Sequence, residues 1–429
     1  MMRKSLMILL VILFASPAFA FDVSKLQFGG QVRMRGYSLI NMWDFDDDAD
    51  GDDWSVFRIK TSLFVKMDLD KDVTGYVKIS NQNYGEGVSY DEDNKSNKLF
   101  VDNAYINVDN FFQLPISIRL GRQNLMYGSG FVLFDGNSQF ASTSIFFDGI
   151  KATWHINDKM KLDCLYFKDM ENNRAKVVDD DITLSGLYFT DKECPLTNAR
   201  NELYILNRED EAIDKDITMF GYRISDKLDF GLDYSAEIAL QTGDFSATAD
   251  QDAIACKLDL GYTLKDVSVK PRFYLGYVSL SGDEAGTSDN ESWDSFYGGW
   301  PQFGDLLAWK YLNVGPNNII SHYDPNYAAG STIIGEVVYA NFNMATIGVS
   351  ANLFRNFSAD ISYSMLTIDE TINNIDDDFG NYYQLKLKYR YTKALCFSVY
   401  AAMIDPGDAF ENVANDDATE VYWEADLRF

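Results

Sequence analysis

The stretch Gln384-Leu385-Lys386-Leu387-Lys388-Tyr389-Arg390-Tyr391 decides the fold. Every second position is polar or basic and the positions between are apolar. A helix would scatter the four polar side chains around its axis, whereas a strand, with a side-chain period of two, sorts them onto one face and Leu and Tyr onto the other. The same alternation runs through Gln31-Val32-Arg33-Met34-Arg35-Gly36-Tyr37, Phe57-Arg58-Ile59-Lys60-Thr61-Ser62-Leu63 and Val269-Lys270-Pro271-Arg272-Phe273-Tyr274-Leu275.

Extending this reading along the chain predicts eighteen strands, near 26-42, 54-68, 72-84, 99-109, 114-124, 143-156, 159-168, 182-190, 200-208, 216-224, 229-241, 252-263, 267-281, 341-354, 358-368, 381-392, 395-404 and 419-429. The segment 331-340 is either a further strand or part of the preceding loop. Tight polar turns (Asp68-Leu69-Asp70-Lys71-Asp72, Asn157-Asp158-Lys159, Ser225-Asp226-Lys227) alternate with long acidic or Gly-rich connections near 43-53, 125-142, 282-330 and 405-418. Short turns at one rim and long loops at the other belong to an all-β fold, a transmembrane antiparallel β-barrel with periplasmic turns and extracellular loops. A soluble β-sandwich or propeller is the structural alternative.

The composition agrees with a barrel. A net charge of -28 opposes nucleic-acid binding, which depends on Lys and Arg neutralising phosphates. The 26 Tyr, 30 Phe and 7 Trp supply too much apolar surface for a disordered acidic chain. Aromatics recur at strand ends, at Tyr37, Trp43, Trp54, Tyr84, Phe111, Phe112, Trp154 and Tyr262, where interfacial girdles are expected. Residues 1-20 have Arg3 and Lys4, an apolar run from Leu6 to Phe14 and an Ala18-Phe19-Ala20 exit, the pattern of a signal peptide. Residues 21-429 are then a single barrel domain, with 282-330 as its longest extracellular loop. No later apolar run reaches the length of a membrane-spanning helix. Cys164, Cys194, Cys256 and Cys396 permit zero to two disulfides in an oxidising compartment, or serve as apolar fillers on strand faces.

The C-terminal Val421-Tyr422-Trp423-Glu424-Ala425-Asp426-Leu427-Arg428-Phe429 alternates up to a final aromatic. It resembles the C-terminal signal of bacterial outer-membrane proteins, which implies recognition of Phe429 by the barrel-insertion machinery and a location in outer-membrane lipid and lipopolysaccharide. Because an Arg or Lys at the bilayer midplane costs about 2-4 kcal/mol, the apolar parity of each strand must face lipid and the other the lumen. This sends Arg33, Arg35, Arg58, Lys60, Lys78, Arg119, Arg223, Lys270, Arg272, Lys386, Lys388 and Arg390 inward, with fewer acids among them. Fixed cations in a narrow aqueous path concentrate anions while leaving their contacts exchangeable, and a planar guanidinium matches a carboxylate. The alternative is structural salt-bridge ladders across the barrel.

Two further features bear on chemistry. Residues 44-53 hold seven Asp in ten positions, and Asp46-x-Asp48-x-Asp50-Gly51 matches the opening of a calcium loop. The twelfth position is Phe57, without the closing bidentate Glu, so the segment is either an incomplete Ca2+ site, bridging to lipopolysaccharide, or a solvated repulsive loop. Catalysis of the hydrolase type would have to use His155 or His322, and no nucleophile elbow accompanies either.

Residues Arg119-Leu120-Gly121-Arg122-Gln123-Asn124-Leu125-Met126-Tyr127-Gly128-Ser129-Gly130-Phe131, followed by Phe147-Asp148-Gly149-Ile150-Lys151, resemble the signature of the alginate export family of outer-membrane porins. Phe220-Gly221-Tyr222-Arg223, Ala239-Leu240-Gln241-Thr242-Gly243 and Ser281-Gly282-Asp283 leading to Trp293-Asp294-Ser295-Phe296-Tyr297-Gly298-Gly299 follow in the family's order. The resemblance implies an eighteen-stranded barrel passing an anionic polyuronate outward; whether a periplasmic partner delivers it stays open. It also implies that Arg122, Arg223 and Asp148 lie at or near the conduit wall, with Gly121, Gln123 and Gly149 in the same motif. Arg122 breaks the parity set by Arg119, and the expectation is a bulge or a loop junction there.

Overall fold

A computed structural model describes residues 23-41, 45, 47, 53-84, 99-134, 147-169, 182-211, 213-284, 286-298, 304-307, 340-371, 376-411 and 416-429. Eighteen strands are present among the described residues. The first nine are β1 (Leu26–Ile40), β2 (Trp54–Asp70), β3 (Val73–Tyr84), β4 (Leu99–Val108), β5 (Ile116–Gln123), β6 (Phe147–His155), β7 (Met160–Asp169), β8 (Ile182–Asp191) and β9 (Arg200–Asp210). The remainder are β10 (Lys215–Lys227), β11 (Leu232–Ser246), β12 (Ala249–Thr263), β13 (Arg272–Leu280), β14 (Phe342–Phe354), β15 (Phe357–Thr367), β16 (Asp378–Arg390), β17 (Leu395–Pro406) and β18 (Ala418–Arg428). Each predicted strand has its counterpart, and 331-339 lies outside the described residues. The reversal expected at Ser225-Lys227 comes slightly later, because those residues still pair with β11.

All neighbours are antiparallel, and β1 pairs with both β2 and β18, which closes the sheet. Closure is completed at the C-terminus, where the Phe429 N–H donates to the Gly30 carbonyl and the Gly30 N–H donates to that of Phe429. Pairing every strand on both sides satisfies the backbone without an edge, the condition for a sheet to cross a bilayer.

Side-chain burial follows the two-residue period. On β2, Val56, Arg58, Lys60 and Ser62 are buried, while Phe57 and Leu63, between and beyond them, are exposed. Across the rest of the wall Leu120, Ile150, Ile205, Phe220, Leu240, Leu258, Ile347 and Ile361 are exposed on the outward parity. In water such a surface would cost about 25 cal/mol for each Å² left uncovered; in lipid it has no such cost. Outward Trp154, Tyr262, Phe273, Tyr389 and Phe397 lie towards the short-turn rim, and Tyr166, Tyr277 and Tyr383 towards the other. Tyr37 does not join these girdles: it faces the lumen and is 3% exposed. The outer surface and closed barrel place the protein in the bacterial outer membrane.

The apolar core lies inside the barrel, towards the long loops. Leu125, Tyr127 and Phe131–Leu133 from the β5–β6 connection, and Trp293, Phe296, Tyr297, Leu306 and Leu307 from the β13–β14 connection, are buried against inward residues such as Phe147, Phe167, Met219 and Phe342. The two connections pair as parallel chains at Leu133 and Tyr297, and Phe131 stacks on Trp293 with centroids 6.1 Å apart.

The candidate conduit

The lumen is built by register. Arg33 is directly opposite Lys60 and Arg35 opposite Arg58, all on the inward face of β1 and β2. Arg119 on β5 is opposite Lys151 on β6 in the same way. Like charges directly opposite each other on one sheet face destabilise the pair, so these positions need compensating anions. Part of the compensation is protein-borne. Glu424, opposite Arg35 on β18, accepts from Arg35 Nε at 2.5 Å and lies 3.9 Å from Arg33 Nε. Arg35 Nη1 donates to the Tyr37 hydroxyl at 2.8 Å, and its guanidinium lies over the Tyr422 ring. Lys78 Nζ is 2.7 Å from Asp102. Arg119 lies over the Tyr105 ring at 4.3 Å, and its Nε has no hydrogen-bond partner.

Elsewhere on the wall, mixed networks dominate. Arg223, inward on β10, bonds Glu202 and lies 3.6 Å from Glu237. Arg272 makes a bidentate pair with Asp233, with Nη2 at 2.5 Å and Nε at 2.9 Å. Lys386, Lys388 and Arg390 share the inward parity of β16, with Lys386 opposite Tyr400 and its Nζ 5.6 Å from that ring. Directly opposed cations and structural ion pairs thus occupy different sectors of one wall.

Three expected site residues are elsewhere. Lys270 is in the periplasmic connection, with φ of 44° and its N–H bonded to the Val267 carbonyl; the ladder begins only at Arg272, which pairs with Thr263, because Pro271 has no N–H to contribute. Arg122 and Asp148 are on the outer face. Their register, Ala104–Arg122–Asp148–Lys168, runs without a bulge, so Arg122, three residues from Arg119, points away from the lumen. Arg122 Nε and Nη2 donate to Asp148 at 2.8 and 2.5 Å, and Nη1 donates to the Val101 carbonyl. This pair sits at the extracellular ends of β5 and β6, one outward step beyond Leu120 and Ile150. Gly121, Gln123 and Gly149 of the same motif are on the lumenal parity. Gly121 has φ of 116°, and a Cβ there would stand 2.3 Å from the Ala104 carbonyl oxygen.

The loop contacts were not foreseen. Asp294, 7% exposed, receives Lys215 Nζ at 2.9 Å, Arg208 Nη1 at 3.2 Å and the Phe296 N–H at 2.8 Å. Burial alone would raise its carboxyl, but Lys215 and Arg208 together hold it well below the usual carboxylate range. Gln241 grips the same residue by its backbone, accepting the Asp294 N–H and donating to the Asp294 carbonyl. Asp305 lies 3.6 Å from Arg35 Nη1; burial pushes its carboxyl up, against the opposing pull of Arg35, Arg58 and Arg33. Asp294 was visible in sequence only as part of a motif, and its partners are about eighty residues away.

Asp46, Asp48 and Asp50 lie outside the described residues, as do His322 and residues 1-20. His155 Nε2 meets Ser117 Oγ at 3.1 Å near the periplasmic mouth, a contact that the sequence did not suggest. The four cysteines are free thiols; Cys164 and Cys256 are on the outward parity, Cys396 on the inward.

The family model described as "Alginate export" matches residues 51-423. The chain belongs to the alginate export family. Solved structures similar to it include OpdO of Pseudomonas aeruginosa (12% identity, 95% of this chain and 97% of that one, TM-score 0.59) and OccAB4 of Acinetobacter baumannii (13%, 94% and 98%, TM-score 0.57). A third is OccK2 (OpdF) of P. aeruginosa in complex with glucuronate (12%, 95% and 98%, TM-score 0.56). At such identities the likeness is one of fold. No curated relative matches the sequence. As an alginate export family member with this barrel, the protein is an outer-membrane transport channel.

Proposed function

We propose that this channel conducts anionic, carboxylate-bearing solutes, with an acidic polysaccharide such as alginate as the leading candidate, and that it carries out no catalysis. The observation that carries the reading is the set of directly opposed lumenal cations, Arg33–Lys60, Arg35–Arg58 and Arg119–Lys151. Such pairs weaken a sheet unless an anion lies between them, and a solute carrying repeated carboxylates can pass from one to the next. Guanidinium forks give each stop a charge-assisted contact of about 1.5-3 kcal/mol, weak enough for exchange. Outward flux rests on the family name alone.

The test is single-channel conductance and ion selectivity in planar bilayers, for the unmodified protein and for Arg33→Gln, Arg35→Gln, Arg58→Gln and Arg272→Gln. Anion preference that falls in the first three, with block by uronate oligomers, is the expected result. A cation-preferring channel unaffected by them would remove the basis for the proposal.

A gated or structural barrel is the second reading, favoured by the packing of Tyr127, Phe131, Trp293 and Tyr297 inside the lumen. It predicts negligible conductance until those loops are displaced. Among the described residues a hydrolase has only the Ser117–His155 contact in its favour, and Ser117→Ala tests it by leaving any esterase signal unchanged.

A further inference from the structure

Resting on that reading, we propose that Asp305 is a built-in competitor: its carboxylate occupies a solute-binding station formed by Arg33, Arg35 and Arg58, and a solute carboxylate binds there by displacing it.

The two acids at this station are held differently. Glu424 belongs to the wall, in register with Arg35, and accepts from Arg35 Nε at 2.5 Å. Asp305 comes from the β13–β14 connection. Its Oδ2 is 3.6 Å from Arg35 Nη1, too far for a hydrogen bond, and that oxygen has no hydrogen-bond partner although the residue is only 4% exposed. A buried carboxylate oxygen left unbonded beside a guanidinium is weakly retained, since the desolvation cost is incurred without the compensating bond.

The backbone around it is seated closely. Gly304, with φ of 90°, lies where a Cβ would be 2.4 Å from both Gln384 Oε1 and the Tyr382 hydroxyl, and the Asp305 N–H donates to the Tyr400 hydroxyl at 3.2 Å. The loop therefore delivers a carboxylate to the cation cluster by contacts with β16 and β17 that do not involve the carboxylate itself. Arg35 meanwhile keeps Glu424 and Tyr37 as fixed partners, so the station keeps its shape when Asp305 leaves. Arg33, Arg35, Arg58 and Lys60 outnumber the wall acids in register with them, Glu424 opposite Arg35 and Asp426 opposite Arg33, which suits a carboxylate from solution as well as the tethered one.

If Asp305 occupies the station for most of the time, apparent affinity for a solute carboxylate is reduced by the vacant fraction. Occupancy of nine-tenths or more corresponds to a weakening of about tenfold or more. The experiment is block of single-channel current by glucuronate, with neutral glucose as the control, for the unmodified full chain and for Asp305→Asn, Asp305→Glu, Arg35→Gln and Asp259→Asn. Asp259 is a lumenal acid on β12, beside Lys257, and reports the generic effect of removing one negative charge.

The proposal expects the half-blocking concentration to fall about tenfold or more in Asp305→Asn, to stay near that of the unmodified protein in Asp305→Glu and Asp259→Asn, and to rise in Arg35→Gln. Glucose should not block any of them. If glucuronate blocks the unmodified channel and Arg35→Gln loses the block while Asp305→Asn is unchanged or weaker, the competitor role is wrong and the anion conduit stands. An equal gain in Asp305→Asn and Asp259→Asn also overturns it, leaving only bulk lumenal charge. Absence of block in every form, with cation preference, sinks both readings. Should Asp305→Asn not insert, Asp305→Ala is read by the same criteria, and Asp305→Glu failing to restore the unmodified value refutes the role independently.

Discussion

Replacing Asp294 by Asn keeps the side-chain shape and the bond from the Phe296 N–H, and removes one negative charge from between Lys215 Nζ and Arg208 Nη1. Both cations are at most 5% exposed, so neither regains water unless the loop lifts. Breaking a buried pair by removing one partner costs about 3-5 kcal/mol. The lower end applies, because Asp210 stands opposite Lys215 in register and retains part of the compensation. A loss of about 3 kcal/mol multiplies the population with residues 290-298 undocked by about a hundredfold.

Chymotrypsin measures that population, since Trp293, Phe296 and Tyr297 are all buried when the loop is docked and cleavage tracks the open fraction when reclosing is fast. Cleavage at these sites, followed by intact mass on protein in vesicles, should accelerate about a hundredfold in Asp294→Asn at neutral pH. The sign of the pH effect follows from the lowered carboxyl. Its contribution is complete above the ordinary carboxylate range near pH 4 and is lost as pH falls from there towards the lower docked value. The unmodified loop should therefore stay protected at pH 5. An Asp294→Asn rate within about threefold of the unmodified one would mean that the anchor is the Gln241 backbone grip and the aromatic packing, not the buried charge triad.

Other outcomes follow from the same geometry. Arg223→Ala leaves Glu237 buried without its nearest cation and Glu202 with Arg200 alone and should cost about 3 kcal/mol, seen as a lower unfolding midpoint in detergent. Arg122→Ala removes a partly exposed pair on the outer face, should cost no more than about 1 kcal/mol and should leave ion selectivity unchanged; a selectivity change would return Arg122 to the conduit. Gly121→Ala puts a Cβ 2.3 Å from the Ala104 carbonyl oxygen at φ of 116°. A cost of about 1-3 kcal/mol or more should appear as poor heat resistance of the folded band on gels, and normal resistance would show that β4 yields locally.

By itself the sequence determined the number of strands, their order and their two faces. The reason is physical: a barrel wall is one layer between water and lipid, so the period of two in segments such as Gln31-Tyr37 and Gln384-Tyr391 states inside and outside directly. Parity alone placed Arg33, Arg35, Arg58, Lys60 and Arg272 on the lumenal face, and cast doubt on Arg122. Lys270 failed because alternation in residues does not show where pairing begins, and Pro271 delays it. The tertiary structure alone decided what the cations meet. Arg35 with Glu424, and Arg208 and Lys215 with Asp294, join residues from opposite ends of the chain or from a strand and a distant loop. Closure brings β18 against β1, and apolar burial draws the Trp293 segment inside; neither has a local period, because both depend on which surfaces meet once the barrel has formed.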